Sequence, residues 1–405
     1  MYNEQMKVVI IGQGYVGLNL SIMASRNHAV VGFDINDSLV ENLNLAKSHI
    51  EGITDEDLQI AKSLGYRASS EPEELTDAEV VVISVPTPLN ENRQPDMSFI
   101  ESACLYIAKH CQISALIVNE STSYPGTVRN FIKPIIENNQ KEELLHSYAV
   151  APERVDPGNE RWNLENTPRL VAGLDAIATT KVKEFYSEFC VEVREVTSPE
   201  VAEAAKLFEN TFRQVNIALV NEFAKVTNKL GISVYETLNA ADSKPYGFMK
   251  FQPSLGVGGH CIPVDPSYLA HVAQKLGVET KFINLANETN LAMPTYVAQR
   301  VCSDLGGTLK GLQIMVLGVS YKQDVADIRE TPSAILISEL KKLGADVSWH
   351  DPLVANWNKE SSAPLAPVDA IIVAQMHEAF MSVPLDRYSS YIFDCTGKFP
   401  TEHSL

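Results

Sequence analysis

Short apolar runs alternate with amphipathic stretches through the first half of the chain. The residues within each run are consecutively apolar, which is typical of strands buried on both faces of a parallel sheet. The stretches between the runs have the pattern of crossover helices, so βαβ units are predicted. The predicted strands are residues 7–11, 29–33, 79–85, 115–119, 146–151 and 191–196, and the last of them closes a first domain near Thr197.

A long helical segment follows this first sheet. Its apolar residues recur at intervals of three and four between Ala205 and Phe223, Pro199 stands in the first turn, and Gly231 follows the last turn. These signals predict one helix over 199–230 that links two domains. Further helices are predicted over 267–276 and 282–305.

Gly311 opens a second α/β unit that repeats the order of strand, turn, helix and a strand ending in Asp. It lacks a G-x-G-x-x-G turn, so no second dinucleotide site is expected there. The fold class predicted is α/β, with two Rossmann-like doubly wound domains joined by a long central helix and a small helical domain. The predicted domains are residues 1–197, 198–306 and 307–405, and the predicted elements of the last are strands 312–318, 346–350, 370–374 and 391–393 and helix 331–343.

Composition narrows the possible functions. The 405 residues carry a formal net charge of −18, which disfavours nucleic acid and anionic membranes as partners. No run approaches the roughly 20 apolar residues that span a bilayer, and a polar N-terminus leads into the first strand without a secretory signal. The six cysteines include no C-x-x-C pair, so we expect no metal site, no disulfide framework and a cytoplasmic location.

The turn after the first strand predicts dinucleotide binding. An acidic residue, Asp34, ends the next strand 22 residues after Gly12, close to the roughly 20 expected for a carboxylate that holds ribose hydroxyls. No arginine follows Asp34 to bind a 2′-phosphate, so NAD is favoured over NADP. A tight turn that only packs helix on strand is the alternative. The fingerprint residues are Gly12, Gly14, Tyr15, Val16 and Gly17.

Three loops follow predicted strands at the carboxyl edge of the first sheet, where α/β proteins bind ligands. Hydroxyls of Thr87 in Pro86-Thr87-Pro88, and of Ser121 and Thr122, can reach a cofactor or a water, although Pro, Ser and Thr are also ordinary turn residues. Glu153 after the strand 146–151 is a candidate general base for a hydrolytic water.

Cys261 stands two residues after the glycine-rich run 256–259 and is the candidate nucleophile. The alternative is a small residue in a tight loop. Asp265 can orient a water or polarise the thiol. On the long helix, Lys206, Asn210 and Arg213 share one face, where an ammonium and an amide can stabilise an oxyanion; a solvated charged stripe is the alternative.

The set of motifs resembles the UDP-glucose/GDP-mannose dehydrogenase family over nearly the whole chain. Seven features match the family in chain order: the glycine fingerprint, residues 85–88, residues 120–122, Pro152-Glu153-Arg154, Lys206 with Asn210, the Gly-Gly-His-Cys loop, and residues 321–330. The sequence Gly258-Gly259-His260-Cys261-Ile262-Pro263-Val264-Asp265 resembles the branch that acts on UDP-N-acetylhexosamines. Residues 244–249 and 153–158 look most like the UDP-N-acetylglucosamine 6-dehydrogenases within it. Ser254-Leu255 stands where the family commonly has Gly-Pro.

The resemblance implies an N-terminal NAD domain, a central helical domain that forms a homodimer, and a C-terminal UDP-binding domain. It implies a four-electron oxidation of a UDP-sugar at C6 with two NAD, through a thiohemiacetal and a thioester on Cys261, for polysaccharide precursor synthesis. Lys206 and Asn210 would steady the oxyanion, and Asp265 and Thr122 would hold a water. The implied substrate contacts are Glu153, Arg154, Val155, Lys206, Asn210, Arg213, Gly258, Tyr321 and Lys322; the implied cofactor contacts include Pro86, Thr87, Ser121, Thr122 and Arg329.

Three alternatives remain open from the sequence. The same chemistry can act on UDP-N-acetylmannosamine, UDP-N-acetylgalactosamine or UDP-glucose. A non-catalytic nucleotide-sugar sensor would keep the fold without using Cys261, Lys206 or Asp265. A simple 2-hydroxy-acid dehydrogenase would leave the second sheet and the cysteine loop without a purpose.

Overall fold

The computed structural model describes residues 5–50, 52–90, 92–155, 159, 161–259 and 261–405. The chain forms two compact units within these limits. The N-terminal unit comprises Met1–Glu209 with Ser267–Leu276, and the C-terminal unit comprises Asn210–Pro266 with Gly277–Leu405.

The N-terminal unit is an α/β structure with eight named strands. They are β1 (Lys7–Ile11), β2 (Ala29–Phe33), β3 (Arg67–Ser69), β4 (Val80–Ile83), β5 (Leu116–Asn119), β6 (Ser147–Val150), β7 (Arg169–Gly173) and β8 (Val193–Glu195). The helices are α1 (Tyr15–Ala24), α2 (Asp37–Asn44), α3 (Asp55–Ser63), α4 (Ser98–His110), α5 (Lys133–Asn139) and α6 (Ala176–Ser187). Short helical turns cover Pro72–Leu75 and Val128–Ile132.

The eight strands form one sheet in the order β3-β2-β1-β4-β5-β6-β7-β8. All neighbours are parallel except β6 and β7, which are antiparallel. Alternate residues of β1 enter two hydrophobic cores, one on each face: Val8 and Ile10 in the first, Val9 and Ile11 in the second. The strand order reverses between β1 and β4, so the ligand crevice of a doubly wound sheet is expected where these two strands end.

The helix α7 (Pro199–Leu230) follows β8 and is 32 residues long. After it come the helices α8 (Val234–Asp242), α9 (Asp265–Lys275), α10 (Lys281–Asp304), α11 (Ser333–Lys342) and α12 (Glu378–Met381). The later strands are β9 (Gln313–Leu317), β10 (Asp346–His350), β11 (Asn356–Trp357), β12 (Glu360–Ser361), β13 (Ala370–Val373), β14 (Ile392–Asp394) and β15 (His403–Ser404), with a short turn at Leu385–Arg387.

The C-terminal unit contains a parallel sheet in the order β10-β9-β13-β14-β15 and a two-stranded antiparallel pair, β11 with β12. Alternate residues of β9 again enter two cores, Ile314 and Val316 on one face and Met315 and Leu317 on the other. The predicted α/β class with two Rossmann-like sheets is therefore confirmed.

Two local differences from the predictions bear on the site. Helix α9 begins at Asp265, two residues before the predicted start, so Asp265 stands in its first turn. On α7, Phe208 and Leu219 have the helical spacing of a packing face, yet 64% and 61% of their surface is exposed. Helical periodicity therefore predicted the helix correctly, and the apolar residues that revealed it lie partly at the surface.

Candidate active site

The fingerprint turn leaves room at the start of α1. Gly12 has φ +93°, and a Cβ there would lie 2.3 Å from the carbonyl oxygen of Ser84. A Cβ on Gly17 would lie 1.9 Å from the oxygen of Gly12, whereas a Cβ on Gly14 would have nothing within 4 Å. The first and third glycines thus allow close packing, and the second faces open space beside the N–H groups of the first helical turn.

The same turn fits a dinucleotide. In the part of the chain that the structure describes, α1 has no side-chain cap and no acidic residue in its first turn, so its N-terminus favours an anionic pyrophosphate. Asp34 accepts backbone N–H bonds from Gln13 at 2.9 Å and from Asn36 at 3.0 Å. These two bonds hold the carboxylate beside the glycine turn, where ribose hydroxyls are bound in folds of this kind.

Two of the predicted strand-end loops are bonded to each other. The hydroxyl of Ser121 accepts the N–H of Val85 at 2.8 Å and donates to its carbonyl oxygen at 2.9 Å. The side chain of Thr87 is buried, while its carbonyl oxygen accepts the hydroxyl of Tyr268 on α9 at 3.1 Å. Thr122 is half-buried. The Ser121 hydroxyl thus joins the ends of β4 and β5, which the sequence did not indicate.

The third loop carries Glu153. The N–H of Val155 donates to the Glu153 carboxylate. Arg154 forms two bonds to Glu209 of α7, the shorter at 2.5 Å, and one to the carbonyl oxygen of Pro168 at 2.8 Å. Arg154 is therefore already ion-paired, so the predicted substrate contact by this guanidinium would have to use its remaining donors. Residues 156–158 of the motif 153–158 lie outside the described part of the chain.

Lys206 lies on α7 and is buried, as its predicted role requires. Three residues before it, Glu203 accepts the backbone N–H groups of Gly126 at 2.6 Å and Val128 at 3.2 Å. Burial raises the pKa of Glu203 to about 8, although these N–H bonds oppose the shift. Glu203 thereby fixes the start of α7 to the loop that follows Thr122.

The C-terminal unit brings together the thiol residue, a carboxylate and an amide. Half-buried Cys261 accepts at its carbonyl oxygen the N–H groups of Val264 at 3.2 Å and Asp265 at 2.8 Å, so a single turn leads from it into α9. The Asp265 carboxylate is fully buried and accepts the side-chain amide of Asn210 at 2.6 Å. His260 lies outside the described residues.

The glycines before Cys261 make room for protein atoms. A Cβ on Gly258 would lie 2.5 Å from Cβ of Tyr321 and 3.0 Å from the carbonyl oxygen of Glu330. Gly259, with φ +79°, donates its N–H to the oxygen of Arg329 at 2.9 Å. The glycines were expected to open the backbone to a substrate. In the structure the space beside them is filled by Tyr321, and a substrate contact at Gly258 stays a prediction.

The remaining predicted contacts differ in exposure. Arg213 is exposed, although its helical spacing puts it on the same side of α7 as the buried Asn210. The Arg329 guanidinium is exposed and ion-paired with Asp327 at 2.5 Å, which raises the pKa of Arg329. Lys322 is half-buried.

Comparison with known proteins decides the family. Three family models match in chain order. They describe the NAD binding domain, the central domain and the UDP binding domain of the UDP-glucose/GDP-mannose dehydrogenase family, and they match residues 6–190, 200–292 and 315–399. The chain belongs to this family. It is accordingly an NAD-dependent UDP-sugar dehydrogenase, and the predicted NAD cofactor and UDP-sugar substrate are confirmed at that level.

Several relatives in the dehydrogenase family cover almost the whole chain. A UDP-N-acetyl-D-glucosamine 6-dehydrogenase from Salmonella typhi is 34% identical over 99% of this chain and 98% of its own length. An NDP-N-acetyl-D-galactosaminuronic acid dehydrogenase from Ralstonia nicotianae is 33% identical over 95% and 94%. The solved structure of the UDP-D-ManNAc dehydrogenase from Pyrococcus horikoshii is 31% identical, with a TM-score of 0.89 over 98% of this chain and 96% of that one.

Sequence reasoning missed how the aspartate that ends β10 is bonded. In the C-terminal unit, Asp351 at the end of β10 accepts the N–H groups of Val319 and Ser320 at 2.8 and 3.1 Å, much as Asp34 accepts that of Gln13. Unlike Asp34, it is almost fully buried and lies 3.2 Å from the ring of His377. The strand ending in Asp was the visible signal in the sequence, whereas the contact with buried His377, 26 positions later, was not.

No helix among the described residues is long and apolar enough to cross a membrane.

Proposed function

We propose that this dehydrogenase oxidises C6 of a UDP-N-acetylhexosamine, UDP-N-acetylglucosamine first among them, to the uronic acid through a covalent intermediate on Cys261. The observation that carries the covalent route is the turn from Cys261 to Asp265, whose carboxylate is held by Asn210. The choice of sugar is supported by the Salmonella typhi relative. The uronic acid product is suited to polysaccharide precursor synthesis.

NAD⁺, when bound at the fingerprint turn, would supply the oxidant for both two-electron oxidations, so two NADH are expected per sugar. After the first oxidation, the Cys261 sulfur bonds to the aldehyde carbon, and the carbonyl electrons move to oxygen to give a thiohemiacetal. The second oxidation leaves a thioester. Water then adds to the thioester carbon, the carbon–sulfur bond breaks, and the thiolate and the sugar carboxylate are released.

Each step has a residue suited to it. The Lys206 ammonium and the Asn210 amide stabilise the oxyanion. Asp265 and Thr122 hold the hydrolytic water, and Glu153 takes its proton. Bound nucleotide sugar is contacted by Arg154, Val155, Arg213, Gly258, Tyr321 and Lys322. NAD would be held by the fingerprint and by Asp34, Pro86, Thr87, Ser121, Thr122 and Arg329.

We expect purified enzyme to form two NADH per molecule of UDP-N-acetylglucosamine consumed. A panel of UDP-N-acetylglucosamine, UDP-N-acetylmannosamine, UDP-N-acetylgalactosamine and UDP-glucose, each with NAD, should give the highest kcat/KM for the first. NADP serves as the cofactor control and should be poorly used, since the Asp34 carboxylate repels a 2′-phosphate. A ratio of one NADH per sugar would contradict the four-electron reaction, and a higher kcat/KM for another sugar would reassign the substrate.

We also propose a homodimer formed through the C-terminal unit. The part of α7 that belongs to this unit and the helix α10 expose large apolar side chains, among them Leu219, Phe282 and Leu285. Exposed apolar surface of this kind is hydrated unfavourably and favours a protein interface. Sedimentation should give twice the mass of one chain. The change Leu219→Glu should shift the enzyme towards monomer, whereas Leu145→Glu, at an 86% exposed leucine of the N-terminal unit, should not. A wild-type protein that sediments as a monomer would contradict the dimer.

Two further predictions from the sequence stay predictions: the division into domains 1–197, 198–306 and 307–405, and the cytoplasmic location.

A further inference from the structure

A buried ion pair lies between two loops of the N-terminal unit. Arg169, the first residue of β7, has its Nη1 atom 3.0 Å from Oε1 of Glu120, the residue after β5. Their side chains are 3% and 0% exposed. The hydroxyl of Tyr186 on α6 donates to the same oxygen at 2.6 Å, and the Arg169 guanidinium lies 5.1 Å from the centre of the tyrosine ring. Arg169, Glu120 and Tyr186 therefore form one buried cluster of mutually contacting side chains.

Arg169 also bonds to the loop that carries Glu153. Its Nη1 atom donates to the carbonyl oxygen of Ala151, the residue after β6, at 3.2 Å. In return, Arg154 donates to the carbonyl oxygen of Pro168, the residue before Arg169, at 2.8 Å. The Glu153 turn is thus bonded on both sides to the start of β7.

The same guanidinium fixes the neighbouring turn through Glu120. Glu120 continues directly into Ser121 and Thr122, and its backbone N–H donates to Ile83 of β4 at 2.9 Å. A single arginine therefore connects the turn that bears Thr122 with the turn that bears Glu153.

Stability alone does not account for this cluster. Removing a guanidinium and a carboxylate from water costs so much that apolar residues of similar volume often stabilise a fold as well or better. Burial raises the pKa of Glu120, while Arg169 and Tyr186 oppose the shift. Among the described residues, Oε2 of Glu120 has no hydrogen-bond partner. This ion pair costs free energy to bury and leaves one carboxylate oxygen without a hydrogen bond to any described residue. We therefore expect its role to lie in positioning the two loops that it joins.

The negative charge of Glu120 keeps Arg169 charged. Burial lowers the pKa of Arg169, but neighbouring groups, Glu120 first among them, raise the pKa overall. Because Arg169 also donates to the carbonyl oxygen of Ala151, a movement of this guanidinium would displace the Glu153 turn.

We propose that Arg169, fixed by Glu120 and Tyr186, is the positioning residue that sets the Glu153 turn relative to the Thr122 turn for hydrolysis of the Cys261 thioester. This inference rests on the proposed function, in which Glu153 and Thr122 act on the hydrolytic water. Arg169 has no part in either oxidation, so its replacement should slow only the step that follows the second NADH.

The test is rapid mixing of the enzyme with UDP-N-acetylglucosamine and NAD. In Arg169→Lys the charge remains, but the planar guanidinium, whose Nη1 atom contacts both Glu120 and Ala151, is lost. We expect steady-state turnover to fall roughly 10- to 100-fold, because small displacements of a reacting group have effects of this size. A fast burst of two NADH per active site should persist, and KM for NAD and for the sugar should change little.

Two more variants keep the test decisive if Arg169→Lys folds poorly. Tyr186→Phe retains the aromatic ring and removes one bond to Glu120, so hydrolysis should slow about 3- to 10-fold with the burst intact. Arg194→Lys, at an exposed arginine of β8, is the matched control and should behave as wild type. Circular dichroism melting of each variant identifies unfolding.

Glu153→Gln separates failure of this inference from failure of the proposed function. If Glu153→Gln shows the NADH burst with slow hydrolysis and the Arg169 and Tyr186 variants do not, only the positioning role is overturned. A burst and turnover that fall together in both folded variants would also overturn it. If neither wild type nor Glu153→Gln passes through a thioester, the proposed function itself fails.

Discussion

Replacement of Cys261 by serine should reduce net formation of uronic acid by roughly 10³-fold or more, since the nucleophile of a covalent mechanism is lost. A serine hydroxyl is a weaker nucleophile than a thiolate at neutral pH, and an oxygen ester is hydrolysed less readily than a thioester. The variant should therefore stop at an aldehyde-level or covalent species. The measurement is NADH formed per active site, with at most two equivalents before turnover ceases.

Cys302→Ser is the control for this experiment. Cys302 is the other cysteine that is not fully buried, and it lies on α10 away from the glycine-rich loop in sequence. It should retain wild-type turnover. Full activity in Cys261→Ser would remove the covalent step from the mechanism, because no other residue is assigned to trap the aldehyde.

Lys206→Met should lower kcat by about 10²- to 10³-fold, the range expected when one donor to a developing oxyanion is lost. Methionine approximates the length of the lysine stem, so packing on α7 is largely kept while the ammonium is removed. KM for the UDP-sugar should change less than kcat, because the oxyanion exists only in and after the transition state.

Lys229→Met on the same helix provides the comparison for Lys206→Met. Lys229 is exposed in the last turn of α7, where a methionine alters only a surface charge. Equal activity of the two variants would show that the buried ammonium has no role in the chemistry. A loss in kcat/KM that comes entirely from KM would instead assign Lys206 to ground-state binding.

The sequence predicted helices and strands well where residues near both ends of an element mark its start and its stop. Pro199 and Gly231 mark the two ends of α7, and the observed helix begins and ends where these residues place it. The strand 79–85 was predicted too long: the observed strand is Val80–Ile83, and the apolar Val85 beyond Ser84 lies outside it. Strand β7 was missed because it begins with a charged residue, Arg169, whose burial depends on a partner 49 positions earlier.

In the candidate site too, contacts between residues close in the sequence could be predicted, whereas contacts between distant residues could not. The glycine fingerprint and Asp34 lie within one βαβ unit, so their spacing in the sequence already describes the turn. The bond between Asn210 and Asp265 joins residues 55 positions apart, and nothing in the local pattern of either residue indicates it. Similarly, the bonds of Glu203 to the loop after Thr122 form only when α7 packs on the first sheet.

The covalent route is tested most directly by the mass of the peptide that contains Cys261. Wild type and Glu153→Gln are mixed with UDP-N-acetylglucosamine and NAD, quenched in acid at short times, digested and analysed by mass spectrometry. The account predicts a uronyl adduct on Cys261 that is most abundant in Glu153→Gln, where hydrolysis is slowed. Uronic acid that forms at every time point while Cys261 stays unmodified in both proteins would contradict it.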